Sequence, residues 1–435
     1  MTPEIKQRIE QIRRGEVPEG YVKKRKVVIP QQWGLPQIKD IASISSGSTP
    51  NRNNSEYWNG NIAWVTTGEL SSGHVNHTSE LITVKAVKET KMRIYPQGTL
   101  LMAMYGQGKT RGTVAILEID AAVNQACAAI TVKDGKSKFL FYQLKNSYQD
   151  IRKLSNTGNQ ENLNADIIKT YQVPWAPDEE QERISTILTT QDKVIELKEK
   201  RLAEKQRQKK YLMQQLLTGK KRLPGFSGEW KNIKLCEVLS ERKEKNVEQN
   251  LRICSVAVQK GVVDQVEHLG RSYAANDTSN YSVAHYGDII YTKSPTGDFL
   301  YGIVKQNLLQ ETVAVSPLYG VFTPLTFGLG YFLHTYFQSA ICARNYLLPI
   351  VQKGAKNTIN ITNDTFISSK LYLPLDVEEQ KAIADTFIAA DREIELLQQD
   401  IEQEKQKKKA LMQQQLGGFF RTELTKAFGP EPEPA

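Results

Sequence analysis

The chain is poor in cysteine and has no paired cysteine motif: Cys127, Cys236, Cys254 and Cys342 are the only four among 435 residues. Scattered thiols without Cys-x-x-Cys spacing fit a reducing compartment and offer no metal framework. Long apolar runs are also missing. None approaches the ~18 residues needed to cross a bilayer, and no signal peptide opens the sequence, so a cytoplasmic protein is expected. Several catalytic signatures are absent as well. No serine sits in a nucleophile elbow, no paired metal-binding carboxylates of nuclease type stand out, and no glycine-rich cofactor loop follows an opening strand. Asn-Pro-Pro-Tyr and Asp-Pro-Pro-Tyr, the tetrapeptides of amino-methyltransferases acting on DNA, do not occur. His74-x2-His77 has no further ligands placed near it and reads as part of a polar loop. A non-catalytic chain with no cofactor or metal of its own is the expectation.

What is present is positive charge and a repeat. The net charge of +9 and pI near 9.1 favour an acidic partner, nucleic acid first among them. The excess is localised: residues 193–210 carry eight Lys or Arg against three Glu, and Lys220-Lys221-Arg222 follow. Residues 179–219 match residues 378–418 without a gap. Glu179-Glu180-Gln181 falls on Glu378-Glu379-Gln380, and Leu212-Met213-Gln214-Gln215 on Leu411-Met412-Gln413-Gln414. Steps of four and three run through Ile184, Leu188, Gln191, Ile195, Lys198, Leu202, Lys205, Lys209, Leu212 and Leu216. They recur in Ile383, Phe387, Ala390, Ile394, Leu397, Ile401, Glu404, Lys408, Leu411 and Gln415. This is a coiled-coil stripe on two long helices, which most simply bury each other antiparallel. Its polar later half, 205–210 and 405–409, reads as a solvated face or a surface kept for DNA or a partner.

The repeat extends beyond the helices. Residues 1–14 read as a short amphipathic helix, and the basic run that follows leads to Trp33 much as Lys220 to Phe226 lead to Trp230. The division is a half-helix and basic lead-in (1–30), a first domain (31–178), a helix (179–219), a second domain (220–377), a helix (378–418) and a Pro/Glu-rich tail (419–435) expected to be partly disordered. The two domains share a turn-rich, mixed α/β texture. Strands are expected at 62–67, 99–105 and 113–119, then at 252–258, 288–292 and 311–315. In each, an aromatic helix (139–148, 329–337) precedes a Gly/Asn loop and a short strand ending at Pro174 or Pro374. The fold class is α+β, with two similar domains joined by two antiparallel helices in a pseudo-two-fold cyclic repeat.

Ala103-Met104-Tyr105-Gly106-Gln107-Gly108-Lys109-Thr110 is close to a phosphate-binding P-loop, with Ala for the first Gly. That loop works by aiming helix N-terminal amides at phosphates, whereas here Thr113 to Leu117 form another apolar, strand-like run. A glycine-rich hairpin presenting basic residues to phosphate or guanine fits better. Candidate DNA contacts are therefore Thr49, Arg52 and Asn53 in loop 47–54; Gln107, Lys109, Thr110 and Arg111 in loop 106–112; and Asn159, Gln160 and Asn162 in loop 158–164. In the second domain they are Lys293, Ser294 and Thr296 in loop 292–298, and Lys353, Lys356 and Asn357 in loop 352–360. Ordinary surface turns have the same composition. Tyr57-Trp58 and Tyr331-Phe332 read as core.

The ordered set resembles the specificity subunit of Type I restriction-modification enzymes. The resemblance rests on the duplication, on Pro174-x4-Glu179-Glu180-Gln181 and Pro374-x3-Glu378-Glu379-Gln380, and on Leu212 to Phe226. Gly47-Ser48-Thr49-Pro50 with Ile62-Ala63-Trp64-Val65, Asn124 to Ile130 and Ser316 to Phe322 add to it. It implies two target-recognition domains, each reading half of an asymmetric bipartite DNA site. It also implies docking of two methyltransferase subunits that carry S-adenosylmethionine, and of translocase-nuclease subunits that use ATP and magnesium. About 35 helical residues make a rod of roughly 50 Å, long enough to hold two readers one DNA turn, about 34 to 36 Å, apart. Two other readings stay open: an enzyme, as a nucleotide hydrolase or a fused restriction-methylation polypeptide, and a coiled-coil scaffold that never touches DNA.

Overall fold

The duplicated pattern forms two helices of nearly equal length, Asp178–Leu216 and Val377–Leu416. They belong to a computed structural model that describes residues 3–106, 108–154, 162–271, 274–353 and 359–418. Both helices carry acidic residues in their first turn, which complement the positive N-terminal dipole. Both are followed by a glycine in the left-handed region, Gly219 at φ 68° and Gly418 at φ 69°, where a side chain would be strained. The chain forms two units, 1–197 with 401–435 and 198–400, so each unit contains part of both helices.

In the first unit, a five-stranded sheet runs in the order Ala42–Ser46, Cys127–Val132, Leu100–Ala103, Val114–Leu117 and His74–Val75. Leu100–Ala103 and Val114–Leu117 are apolar and buried at every position, as strands covered on both faces must be. A three-stranded sheet, Glu80–Ile82, Trp58–Val65 and Ala121–Val123, stands beside it. The helix Ser137–Asn146 packs Phe139, Leu140 and Tyr142 against Ile184, Leu188, Met412 and Leu416, so both long helices contribute to this core. The second unit has two four-stranded sheets. One orders Leu239–Glu241, Gly320–Pro324, Ile289–Tyr291 and Val304–Gln306, the other Gly261–Asp264, Arg252–Ala257, Val313–Val315 and Ser282–Ala284. Its helix Phe327–Tyr336 packs Leu329 and Phe332 in one cluster with Ile383 and Phe387. The six domain strands and two aromatic helices expected from the sequence are present, with boundaries displaced by a few residues: the first strand and both aromatic helices begin earlier than expected, and the other strands are trimmed at their ends.

Of the two short strands expected to end at proline, the one at Pro374 forms and the one at Pro174 does not. Lys370–Pro374 pairs with Trp230–Lys234 over five residues, whereas its counterpart makes only isolated bridges, Gln37 with Gln172 and Gly34 with Trp175. Pro36 lies between those bridges and has no N–H to give, so the ladder breaks there.

The same anchors recur in each unit. Trp33 Nε1 donates to Glu180 Oε2 at 2.9 Å, and Trp230 Nε1 to Glu379 Oε2 at 3.1 Å. Tyr142 donates to Asp192 at 2.8 Å and Tyr331 to Asp391 at 2.9 Å, and each aspartate also pairs with a lysine of the other long helix, Lys408 or Lys209. Further rungs are Gln191 to Glu404, Lys198 to Asp400 at 2.8 Å and Lys205 to Glu393 at 2.9 Å. The helices therefore run antiparallel within each unit. Three of the lysines expected on a free surface, Lys205, Lys209 and Lys408, are instead turned inward as partners across the seam.

Lys305 sits near the second of these networks. It is 4 % exposed, and burial, with Lys209 nearby, pushes its pKa down to about 8 against a weaker opposing pull from Asp391. Buried His334 beside it is likewise held well below its usual range, first by burial and then by Lys305 and Lys209. An unfolded lysine titrates near 10.4, so between about pH 8 and 10.4 the unfolded chain binds the extra proton. The penalty is fully present below about pH 8, and stability rises with pH across that window. Lys305→Met should therefore raise the second unit's stability at pH 7 by about 2 to 3 kcal/mol and flatten the rise. Thermal melts at pH 7 and pH 9.5 check this; equal gains at both would rule it out.

Candidate nucleic-acid interface

Strand directions in the first unit bring its polar loops to one place. Ala42–Ser46 and Leu100–Ala103 end, and Cys127–Val132 and Val114–Leu117 begin, at the same end of the five-stranded sheet. Trp58–Val65 and Ala121–Val123, which run parallel, end with Asn124 N donating to Val65 O at 3.0 Å. Loops 47–54, 104–113 and 124–126 therefore lie side by side. The turn at 124–126 touches both neighbours: Met104 N donates to Ala126 O at 2.8 Å, and Thr49 Oγ1 bonds Gln125. Leu163 N donates to Met104 O at 2.9 Å, which sets half-buried Asn162 beside the hairpin base.

Loop 47–54 is built to hold its shape. A Cβ on Gly47 would lie 1.8 Å from Val123 O, so only glycine fits. Asn51 and Asn54 side chains accept from the backbone N–H of Asn53 (3.0 Å) and Glu56 (3.1 Å), closing two local turns. Arg52 lies over Trp58 at 4.2 Å and Trp64 at 5.0 Å from the ring centroids. Its guanidinium makes a two-pronged bond to Glu80, with Nη2 to Oε2 at 3.0 Å. That bond raises the arginine pKa and lowers the carboxylate's. The side chain of Arg52 is still 54 % exposed, so its remaining N–H groups face solvent. Trp58, expected in the core, is half-buried and serves as the platform for Arg52.

The second loop is a hairpin, as its glycines suggest, and it continues into a strand. Gly106, Gly108 and Gly112 have φ of 134°, 60° and 82°, and Gly112 N donates to Ala103 O at 2.8 Å. The tip is pinned by the helix Tyr148–Lys153. Tyr148 Oη donates to Lys109 O at 2.6 Å and Arg152 Nη1 to Arg111 O at 2.8 Å. Lys109 is exposed and Thr110 half-buried, whereas Arg111 is 7 % exposed. Arg111 is therefore packed inward and does not present its guanidinium at the surface. Tyr148→Phe should loosen the tip at a cost of about 1 kcal/mol. Faster amide exchange at 109–113 with an unchanged sheet is the expected result, and unaltered exchange there would count against the pin.

In the second unit, the corresponding sheet end is formed by the close of Ile289–Tyr291 and Leu239–Glu241 and the start of Gly320–Pro324. Lys293 is half-buried at φ 57°, with its amine held low by burial, while Ser294 and Thr296 are exposed. Asn363 Nδ2 donates to Glu241 Oε1 at 2.6 Å, bringing the segment after 359–360 to the same end. Lys353 belongs to the short pair Gln352–Lys353 and Ile359–Asn360. Gln107, Asn159, Gln160, Lys356, Asn357 and the tail lie outside the described residues. Sequence reasoning missed Glu80, Gln125, Tyr148 and Arg152, whose roles come from contacts between distant segments. Only the bond between Tyr148 and Arg152, four residues apart on one helix, had a local spacing to betray it.

The seam residues face inward within their units. Ile184, Leu188, Ile195, Ile401, Ile383 and Phe387 are buried, and Leu202, Leu212, Ile394 and Leu411 are half-buried. Among the described residues no cluster of metal-ligating side chains is present, and no helix is long and apolar enough to cross a membrane.

The model of the Type I restriction modification DNA specificity domain matches residues 30–206 and again 228–406, well over half of the chain. The chain belongs to this family. Among curated relatives, the MjaIX Type I restriction enzyme specificity subunit of Methanocaldococcus jannaschii is 34% identical over 178 residues, 40% of each chain. The match thus spans about two-fifths of that relative. The MjaVIII specificity subunit of the same organism is 23% identical over 427 residues, 90% of this chain and 94% of the relative. In fold, the chain is similar to the crystal structure of the Type I restriction-modification S subunit from M. genitalium, with a TM-score of 0.57 at 11% identity over 91% of this chain and 98% of that one.

Proposed function

We propose that this chain is the specificity subunit of a Type I restriction-modification complex and that each unit reads one half of a bipartite, asymmetric DNA site. The observation that carries the reading is the gathering of rigid, polar, glycine-lined loops at one end of the first unit's sheet, with exposed Arg52 held on Trp58 and Trp64. The long helices set the spacing between the two readers. The chain itself carries no catalysis. Two methyltransferase subunits bring S-adenosylmethionine, and restriction-translocase subunits bring ATP and magnesium, all in the cytoplasm. The family match supports the DNA-reading role. The exposed apolar positions Leu197 and Leu396, equivalent in the two helices, are faces available for a partner. A nucleotide hydrolase is disfavoured because the Gly106–Gly112 segment leads into the strand Val114–Leu117, with no helix to receive phosphates.

Arg52 tests the reading. An arginine that donates to a base edge contributes roughly 1 to 3 kcal/mol of discrimination, and guanine is its usual partner. Arg52→Ala in the assembled complex should relax the methylated motif at one position of one half-site and leave the other half-site unchanged. Genome-wide mapping of methylated adenines reads this directly. An unchanged motif, or relaxation in both halves, would remove Arg52 as a reader.

A further inference from the structure

In the first unit a cleft of about 660 Å³ opens between the hairpin tip and the helices Ser137–Asn146 and Tyr148–Lys153. Its lining includes Lys109, Lys145 and Arg152 and, among the described residues, no aspartate or glutamate. Hydroxyls of Thr67, Ser71 and Thr110 also line it, together with several glycines whose bare backbone lets a ligand come close. Arg152 is engaged in holding the tip through Arg111 O, so it shapes the cleft, while Lys109 and Lys145 supply charge. The Lys145 residue is accessible from the cleft, yet its ammonium lies 5.2 Å from the Phe141 ring centroid. Lost hydration there, and then Lys408, lower its pKa, with Asp192 acting weakly the other way. An anion in the cleft would relieve that repulsion. The second unit is built differently at this point. Three residues after Tyr331, the counterpart of Tyr142, it has buried His334, whose Nδ1 accepts from Gln306 N at 3.0 Å.

We propose that this cleft holds a phosphodiester group of one DNA strand, neutralised by Lys109 and Lys145, and so anchors the first unit without reading bases. Cations with no carboxylate in the lining, hydroxyl groups and glycine backbone that lets a strand come close suit phosphate contacts, whereas base readout needs fixed donor and acceptor pairs at a groove. The inference rests on the reading of the chain as a DNA-binding specificity subunit, and assigns it a positioning site distinct from Arg52.

The test uses the full chain assembled with its methyltransferase subunits. Affinity for a duplex carrying the methylated motif and for an unrelated duplex is measured from about 50 to 300 mM KCl. Each phosphate neutralised contributes about 0.9 to the slope of log affinity against log salt. Lys109→Gln and Lys145→Gln should each flatten the slope, the two together by roughly that amount, and each should weaken both duplexes by the same factor, up to roughly tenfold for the double substitution. Lys145→Arg should keep the slope, which separates charge from packing. If Lys145→Gln fails to fold, Lys109→Gln on the exposed tip carries the same test. Unchanged slopes would overturn the proposal. So would a changed ratio between the two duplexes, which would mean base reading, or nucleoside triphosphate binding by the wild type that Lys145→Gln abolishes. Failure of the wild-type complex to distinguish the duplexes would instead sink the specificity-subunit reading itself.

Discussion

Glu379→Ala is expected to destabilise the second unit by about 3 kcal/mol, far more than Glu180→Ala destabilises the first. The two glutamates occupy equivalent positions and both accept from a tryptophan indole. Their remaining environments differ. Glu379 is 1 % exposed and also takes a two-pronged bond from Arg222, which closes the linker 219–229 back onto the helix start. Deleting the carboxylate strands both a guanidinium and an indole N–H. Breaking a buried pair costs about 3 to 5 kcal/mol, and the lower end applies because the arginine keeps partial access to water. Glu180 has no arginine, and its Oε1, buried, has no hydrogen-bond partner among the described residues. Its removal loses one bond of about 1 kcal/mol and relieves a poorly compensated charge. For a unit of this size, 3 kcal/mol corresponds to roughly 6 to 12 °C in Tm. Hydrogen exchange should place the Glu379→Ala loss at Trp230–Lys234, Lys370–Pro374 and the start of Val377–Leu416. Equal effects of the two substitutions would show that Arg222 contributes nothing.

The same pair shows what could be read in advance. Alignment of 179–219 with 378–418 makes Glu180 and Glu379 equivalent, and Trp33 and Trp230 match in their own repeat, so the shared architecture was visible in the chain. That each tryptophan meets its glutamate was not visible, because the partners lie 147 and 149 residues apart and nothing local encodes the meeting. The seam teaches the same lesson. Its period predicted which residues face inward, and Lys205, Lys209 and Lys408 obey it. Their charge suggested a surface, because a lysine's partner cannot be seen until the opposing helix supplies Glu393, Asp391 or Asp192. Loop 47–54 was legible as a polar turn, but the conversion of Trp58 from core residue to platform depends on Arg52 folding over it, and burial of Arg111 depends on the helix Tyr148–Lys153 closing over the hairpin. Local composition located the loops; which side chains they offer is decided by tertiary contacts.

Removing one seven-residue repeat from each long helix, about the Lys198–Asp400 pair, should shorten the unread gap between the two half-sites while leaving the half-site sequences intact. Seven residues, and not four, are chosen because the seam steps by four and three. A heptad returns the stripe to within about 20° of its original face, whereas four residues would turn it by roughly 40°. The deletion must be made in both helices. In the antiparallel pair Lys198 meets Asp400 and Lys205 meets Glu393, so a one-sided cut would slide unlike charges past each other and leave Asp391 or Asp192 without its lysine. Each helix would lose about 10 Å, the rise of roughly three base pairs of B-DNA. The original motif should then be methylated poorly, and a motif with a shorter gap should take its place in the map of methylated adenines. Retention of the original gap would mean that something other than these helices sets the spacing, and loss of both half-sites would mean that the units no longer fold. Circular dichroism distinguishes the second case, since an intact double-heptad deletion loses only helical signal in proportion to the fourteen or so residues removed.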